Sequence, residues 1–501
     1  MAWDWLTALT LDTWAQIGSN TANNVDPNDD AAINPNYPSA APWRNGYDLT
    51  DVANQWNGGA LDDTNGVFWT GGGGHVGYYG NELYSISLEA NNPAWIRRGY
   101  PSGSIQKPCA SFTTGFTASD SLLVDGRPAP VHTYNLFTAI SNGDVALAGG
   151  GFNALGTNTG WGYKFSNSLN DWVTATPLNV WYQSYSCACY DPVRDRLWLF
   201  DYQYLQWIDL ATGNTTVCFN TNTDAIGPDS KMIYDPIRDI FVVFLGIQAS
   251  SVYGNAYVLY FDPDNPTDFI KAIQDNTVLR GKHGVAFDPD GNRILCWNGG
   301  ANLTVITPPA TGWNTNTWVS STLTLSGTPS SAASNGTYGR FQYSTKYKCA
   351  FLLNSLGEKL WAVKLLEITP PPQIAVPVAD ISAGGWTPSS GADLYAMLDE
   401  TPASDADYAT SDTTSAFEVE VGVFDDPGVD TDHFFRYRLS GKNGCGFIVS
   451  LKQGATTIAS WTHTPASMPT GPATFEQALT APQAASITYP ATLKMRFEAT
   501  S

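Results

Sequence analysis

Residues 61–99 read LDDTNGVFWTGGGGHVGYYGNELYSISLEANNPAWIRRG. Asp62 to Gly66 makes a turn, and the apolar run after it ends in four glycines, Gly71 to Gly74. A loop holding His75 follows, then an alternating strand from Leu83 to Leu88 and a short strand carrying Trp95. Apolar alternation of period two, bounded by Gly, Asn and Asp, marks antiparallel strands joined by tight turns. The stretch therefore reads as the back part of one four-stranded unit.

Further units lie downstream. Turns between a first and a second strand fall at Asn65-Gly66, Asn142-Gly143, Arg194-Asp195, Arg238-Asp239, Gly291-Asn292 and Lys346-Tyr347. From 65 to 142, 194, 238, 291 and 346 the intervals are 77, 52, 44, 53 and 55 residues. A period near 50 predicts a propeller of β-blades. YDPVRDRLWLF, YDPIRDIFVVF and FDPDGNRILCW repeat one hairpin, in which Asp-Pro opens the turn and a β-rich run follows. The long first interval holds an inter-blade insertion over residues 100–131. The sixth unit stops after its third strand, because Ile368 runs into TPPPQ. Trp14 in TLDTWAQIG stands where Trp95 stands in the first unit. Residues 1–18 are therefore expected to supply the missing strand and leave no free sheet edge.

The quoted stretch resembles the kelch repeat, whose marks are a glycine pair after the second strand, a tyrosine in the third and a tryptophan in the fourth. Its GGGH…GNELY form is similar to the first blade of kelch-like proteins of bacteria and tailed phages. The fold expected is all-β: a six-bladed kelch-like β-propeller over residues 1–367, a proline-rich linker over 368–386 and a β-sandwich over 387–501. In that last part LYAMLDE, FRYRLSGK, SLKQGATTIASWTHT and LKMRFEA resemble a module at the C-termini of tailed-phage virion proteins.

The 501 residues exceed one compact core and imply at least two domains. A net charge of −21 argues against a general nucleic-acid binder and against an anionic membrane surface. No apolar run is long enough for a membrane helix. The start, MAWDWLTALTLDTW, lacks the positive region and cleavage motif of a signal peptide, which suggests synthesis in a host cytoplasm. Seven scattered cysteines without CxxC pairs argue against zinc.

The face opposite the tight turns gathers His75, His132, Tyr134, Lys282, His283, Tyr338 and Arg340 near the starts of first strands, together with the long insertion. Polar groups and long loops at one channel mouth are a ligand-site pattern. Lys282 and Arg340 would make a basic spot in an acidic chain, suited to acidic or hydroxyl-rich sugars. Serine-nucleophile chemistry lacks its G-x-S-x-G elbow, so no catalytic residue is assigned. Glu82 and Glu89 read as structural. Asp26-Pro27-Asn28-Asp29-Asp30 begins like an EF-hand loop, but Ala31 and Tyr37 stand where that loop needs Gly and Glu. Asp425, Asp426, Asp430 and Asp432 form the better oxygen-rich loop for calcium; no other cofactor is expected.

Together with the resemblance, these readings imply a virion subunit (fibre, spike or capsid decoration) that contacts other virion proteins, attaches to a host-surface glycan and is a candidate homo-oligomer. The alternatives are a carbohydrate-active enzyme with its site in the mouth, and a kelch scaffold that binds proteins.

Overall fold

The computed structural model describes residues 3–33, 43, 49, 52–53, 56–73, 78–107, 122–148, 151–152, 157–158, 161–177, 186–200, 204–220, 229–245, 258–273, 282–309, 312–366, 374–399, 404–423, 433–441, 444–488 and 492–501. For strand residues 151–152, 157–158, 161, 174–177, 219–220 and 268–273 the backbone alone is described. The structure is all-β and propeller-like, with only short helical turns among the described residues. It divides into two compact units, Trp3–Ile368 and Thr369–Ser501.

The first unit contains six four-stranded antiparallel sheets. The first sheet runs Gly59–Asp62, Val67–Gly71, Leu83–Ser87 and Trp95–Arg98. The second runs Phe137–Ala139, Val145–Leu147, Trp161–Ser166 and Asp171–Pro177, the third Cys187–Asp191, Arg196–Phe200, Tyr204–Asp209 and Thr215–Asn220. The fourth comprises Lys231–Asp235, Ile240–Phe244, Val258–Asp262 and Asn265–Ile273, the fifth Gly284–Asp288, Arg293–Trp297, Leu303–Thr307 and Val319–Leu323. The sixth has three consecutive strands, Phe341–Ser344, Cys349–Leu352 and Leu360–Lys364. Its fourth strand is Trp14–Ile17, paired antiparallel with Trp14 opposite Val363 and Ile17 opposite Leu360. First strands of successive sheets lie against one another in order, and that of the sixth lies against that of the first.

One turn device recurs from sheet to sheet. The last residue of the first strand is Asp62, Asp191, Asp235 or Asp288, and its carboxylate accepts backbone N–H groups of the turn that follows, from Asn65, Val193 and Arg194, Ile237 and Arg238, and Gly291. In the sixth sheet the Ser344 hydroxyl takes the Tyr347 N–H instead. Each turn closes on a left-handed residue: Gly66, Asp195, Asp239, Asn292 or Lys348. Asn and Asp reach that conformation at little cost, which explains the Asp-Pro-x-x-Asp pattern.

These turns also hold their neighbours. Arg98 donates to Asn167 and Asn170, Ser141 to Asp195, and Arg194 to Asp239. Arg238 donates to Asn292, Tyr343 and Lys348 to Asp290, and Ser344 and Thr345 to Asp63. The links run from the first sheet through to the sixth and back to the first. Apolar side chains fill the gaps between sheets: Phe68, Ile86, Tyr347 and Phe351 between sixth and first, Trp198, Phe241 and Phe261 between third and fourth. Ile240–Phe244 is buried along its whole length, as a strand covered on both faces must be.

In the second unit a five-stranded sheet is ordered Pro377–Ser382, Ala416–Val421, Leu493–Thr500, Gly446–Gln453 and Thr456–His463. Phe434–Leu439 pairs with Ala473–Ala478 in a separate ribbon. Phe435, Tyr437 and Leu439 from the ribbon share one core with Val419, Val449 and Phe497 from the sheet. The expected linker over 368–386 differs from what is observed. Pro377–Ser382 is an edge strand paired with Ala416–Val421, and the proline opening it needs no ladder partner there. Within this unit Trp386 is buried against Phe417 and Phe447 and is core.

Candidate functional site

Four residues ahead of first strands share an uncommon backbone. Trp56, Tyr134 and Tyr338 stand three residues before Gly59, Phe137 and Phe341, and Asp229 stands two before Lys231. Their φ angles are 59°, 41°, 49° and 67°. Left-handed backbone at a bulky aromatic costs on the order of 1–3 kcal/mol, and such residues concentrate at ligand sites. The surrounding chain holds them in place. The Tyr134 N–H donates to the Trp56 carbonyl at 2.8 Å, and the Tyr338 N–H to the Lys282 carbonyl at 3.2 Å. Asn57 and Thr133 tie the same lead-ins, Thr133 N–H to Asn57 Oδ1 at 2.9 Å and Gly58 N–H to Thr133 Oγ1 at 2.7 Å.

The side chains form a chain of contacts. Trp56 stacks on His132 with centroids 5.1 Å apart, and His132 Nδ1 lies 3.3 Å from the Tyr134 hydroxyl. Tyr134 meets Tyr338 edge-on at 5.7 Å, and the Tyr338 hydroxyl donates to Asp229 Oδ1 at 2.7 Å. Burial raises the Asp229 carboxyl above the usual carboxylate range, against the opposing pull of Tyr338 and Lys282. Burial, then Asp229, also pushes the Tyr338 phenol far up, so that it acts as a donor at every accessible pH. Trp56, Tyr134, Asp229, Lys282 and His283 are part-exposed, whereas His132 and Tyr338 are buried behind them.

Arg340 is not at the mouth surface. It is fully buried and donates to four backbone carbonyls: Asn57 from Nε at 2.9 Å, Leu353 and Asn354 from Nη1 at 3.0 and 2.9 Å, and Gly336 from Nη2 at 2.6 Å. Burial lowers its pKa to about 10, which leaves the guanidinium charged near neutral pH. It clamps the lead-ins of the first and sixth sheets, so the expected basic spot retains Lys282 alone. The reason is packing: the residue after Tyr338-Gly339 faces inward, a direction that sequence spacing did not reveal.

Of the other expected residues, His75 lies outside the described residues, as do Asp425, Asp426, Asp430 and Asp432. No group of three or more His, Cys, Asp and Glu among the described residues is arranged to hold a metal. Sequence reasoning missed Trp56 and Asp229. Trp56-Asn57-Gly58 parallels Tyr134-Asn135 and Tyr338-Gly339, an aromatic before Asn or Gly, and that echo was the available signal. Asp229 carried none.

No protein-family model matches the chain, and no curated protein matches it. Solved structures that it resembles include a functionally unknown protein from Desulfotomaculum acetoxidans, at 10% identity over 64% of this chain and 83% of that one, TM-score 0.39. Others are an auxiliary nutrient binding protein from Bacteroides thetaiotaomicron (11%, 61% and 68%, 0.33) and a gluconolactonase from Xanthomonas campestris (9%, 61% and 85%, 0.35). Likenesses of this degree carry no argument about family or function.

Proposed function

We propose that the chain is a glycan-attachment subunit of a virion: a six-bladed propeller closed by its N-terminal strand, with a ligand mouth on the face opposite the tight turns, followed by a β-sandwich. The ring reading is supported by the cyclic adjacency of the six first strands and by the links between turns. The sandwich reading is supported by the core that ribbon and sheet share. The virion assignment rests on the resemblance of the first blade and of the C-terminal module.

The observation that carries ligand binding is the pair of strained, part-exposed aromatics Trp56 and Tyr134, backed by buried Tyr338, beside Asp229 and Lys282. Flat ring faces suit the C–H faces of a pyranose, while a carboxylate and an ammonium suit its hydroxyls. Retention of the purified chain on host polysaccharide is the test. Retention of the intact polymer, lost in a folded Trp56→Ala, Tyr134→Ala double variant, is expected. A falling product size would make the mouth an enzyme site instead. Retention unchanged in the double variant would remove the mouth from the account. Immunogold labelling of particles decides separately whether the chain is a virion component.

A further inference from the structure

A second cluster lies away from the mouth, where a segment of two short 3-10 turns, Ala22–Val25 and Pro27–Asp29, runs along the first sheet. The segment is tied to that sheet's outer strand. Asn20 pairs with both the N–H and the carbonyl of Trp95, and Arg97 donates to the Val25 carbonyl and to Asp30. Beneath it are three polar side chains almost without exposure: Asp26 at 5%, Asn28 at 2% and Glu82 at 2%.

Asp26 accepts backbone N–H groups at both oxygens, from Asn28 and Leu49, but the hydrogen bonding of Asn28 and Glu82 is incomplete. Glu82 Oε1 accepts the hydroxyls of Tyr78 and Tyr84, but Oε2 has no partner. Asn28 gives its backbone N–H to Asp26 Oδ1 at 2.8 Å, while neither atom of its own amide is paired. Asp26 and Glu82 lie within each other's field. A buried carboxylate oxygen and a buried amide are normally satisfied, so two unpaired groups of this kind, with a second carboxylate close enough to feel the first, make a donor set. Charge points the same way: Glu82 and Asp29 act on Asp26, and among the described residues Arg97 is the cation that meets Asp30 and Glu82. A cleft of about 550 Å³ lined by Asn24, Asp26, Asp29, Asp30 and Arg97 meets this cluster at Asp26.

We propose that Asp26, Asn28 and Glu82 bind a hard cation of the calcium class, which fastens the 20–33 segment to the first sheet. Carboxylate and amide oxygens without thiol or imidazole select such ions, and two carboxylates completed by an amide and carbonyls or waters suffice for calcium. The arrangement is not an EF-hand: Glu82 stands just before the first sheet's third strand, far along the chain from Asp26 to Asp30.

Calcium titration of the chelator-stripped full chain at pH 7.5, by calorimetry and thermal midpoint, tests the site. Wild type should bind one more calcium than Glu82→Gln, and with a raised midpoint. Asn28→Asp, which adds a charge to the donor set, should tighten binding at least threefold and serves if Glu82→Gln does not fold. Equal midpoints in chelator, calcium, magnesium and potassium would mean that water alone meets these oxygens, and would overturn the proposal. So would calcium binding that neither variant alters.

Discussion

Replacing Arg340 with Met is the sharpest perturbation of the mouth's scaffold. Four buried carbonyls, those of Asn57, Leu353, Asn354 and Gly336, lose a charged donor at once. An unsatisfied buried acceptor costs roughly 1–3 kcal/mol, so four orphans would cost roughly 4–12 kcal/mol if nothing relaxed. Against this stands the release of a desolvated cation, which is worth several kcal/mol. The net expectation is a loss of about 3–5 kcal/mol, read as a fall in the denaturant midpoint of the first unit's transition. Arg340→Lys keeps the charge but offers three donors from a single nitrogen, and should recover part of the loss. Chemical denaturation followed by tryptophan fluorescence measures all three proteins. A Met variant as stable as wild type would refute the clamp.

Three further outcomes follow from the same structure. Asp26 has a folded pKa of about 6 against 3.8 for the free side chain, so its contribution to stability is complete below about 3.8 and is lost as pH rises through about 6. In chelator the difference amounts to roughly 3 kcal/mol at about 1.4 kcal/mol per pKa unit, and the stability gap between wild type and Asp26→Asn should therefore change across that window; a gap constant from pH 4 to 7.5 would contradict the burial of Asp26. Tyr338→Phe leaves Asp229 without its hydroxyl donor and should cost about 1–3 kcal/mol while loosening ligand retention; unchanged values for both would show the pair to be incidental. Deleting residues 3–18 removes the strand paired with Leu360–Lys364 together with buried Trp14, and should yield an aggregating protein; a monodisperse variant with an unchanged midpoint would contradict closure through that strand.

How far the sequence reached depended on how local each signal was. The turns were legible because each is written in consecutive residues, an Asp that caps, a Pro or polar pair, and a residue tolerant of positive φ. Trp14 could be matched to Trp95 because both open short outer strands of the same form. The strand at Pro377–Ser382 was hidden by Pro377, which reads as linker but opens an edge strand opposite Val421. At the mouth, His132, Tyr134 and Tyr338 were legible as polar and aromatic groups ahead of first strands, and the structure brings them together. The inward turn of Arg340, and the meeting of Asp229 with Tyr338 across 109 residues, depend on tertiary packing that no short window records. The same holds for Glu82 beneath Asp26. Glu82 reads as structural in the sequence, and the 26–30 segment fails the EF-hand loop pattern, so neither points to the other.

The central claim is that a glycan occupies the mouth between Trp56, Tyr134, Asp229 and Lys282. A crystal structure of the chain soaked with an oligosaccharide from the polysaccharide that retains it tests this most directly. Density is expected for a sugar ring lying on Trp56 or Tyr134, with a hydroxyl within hydrogen-bond distance of Asp229 or Lys282. Sugar density confined to the 369–501 unit, with the mouth filled only by solvent, would contradict it.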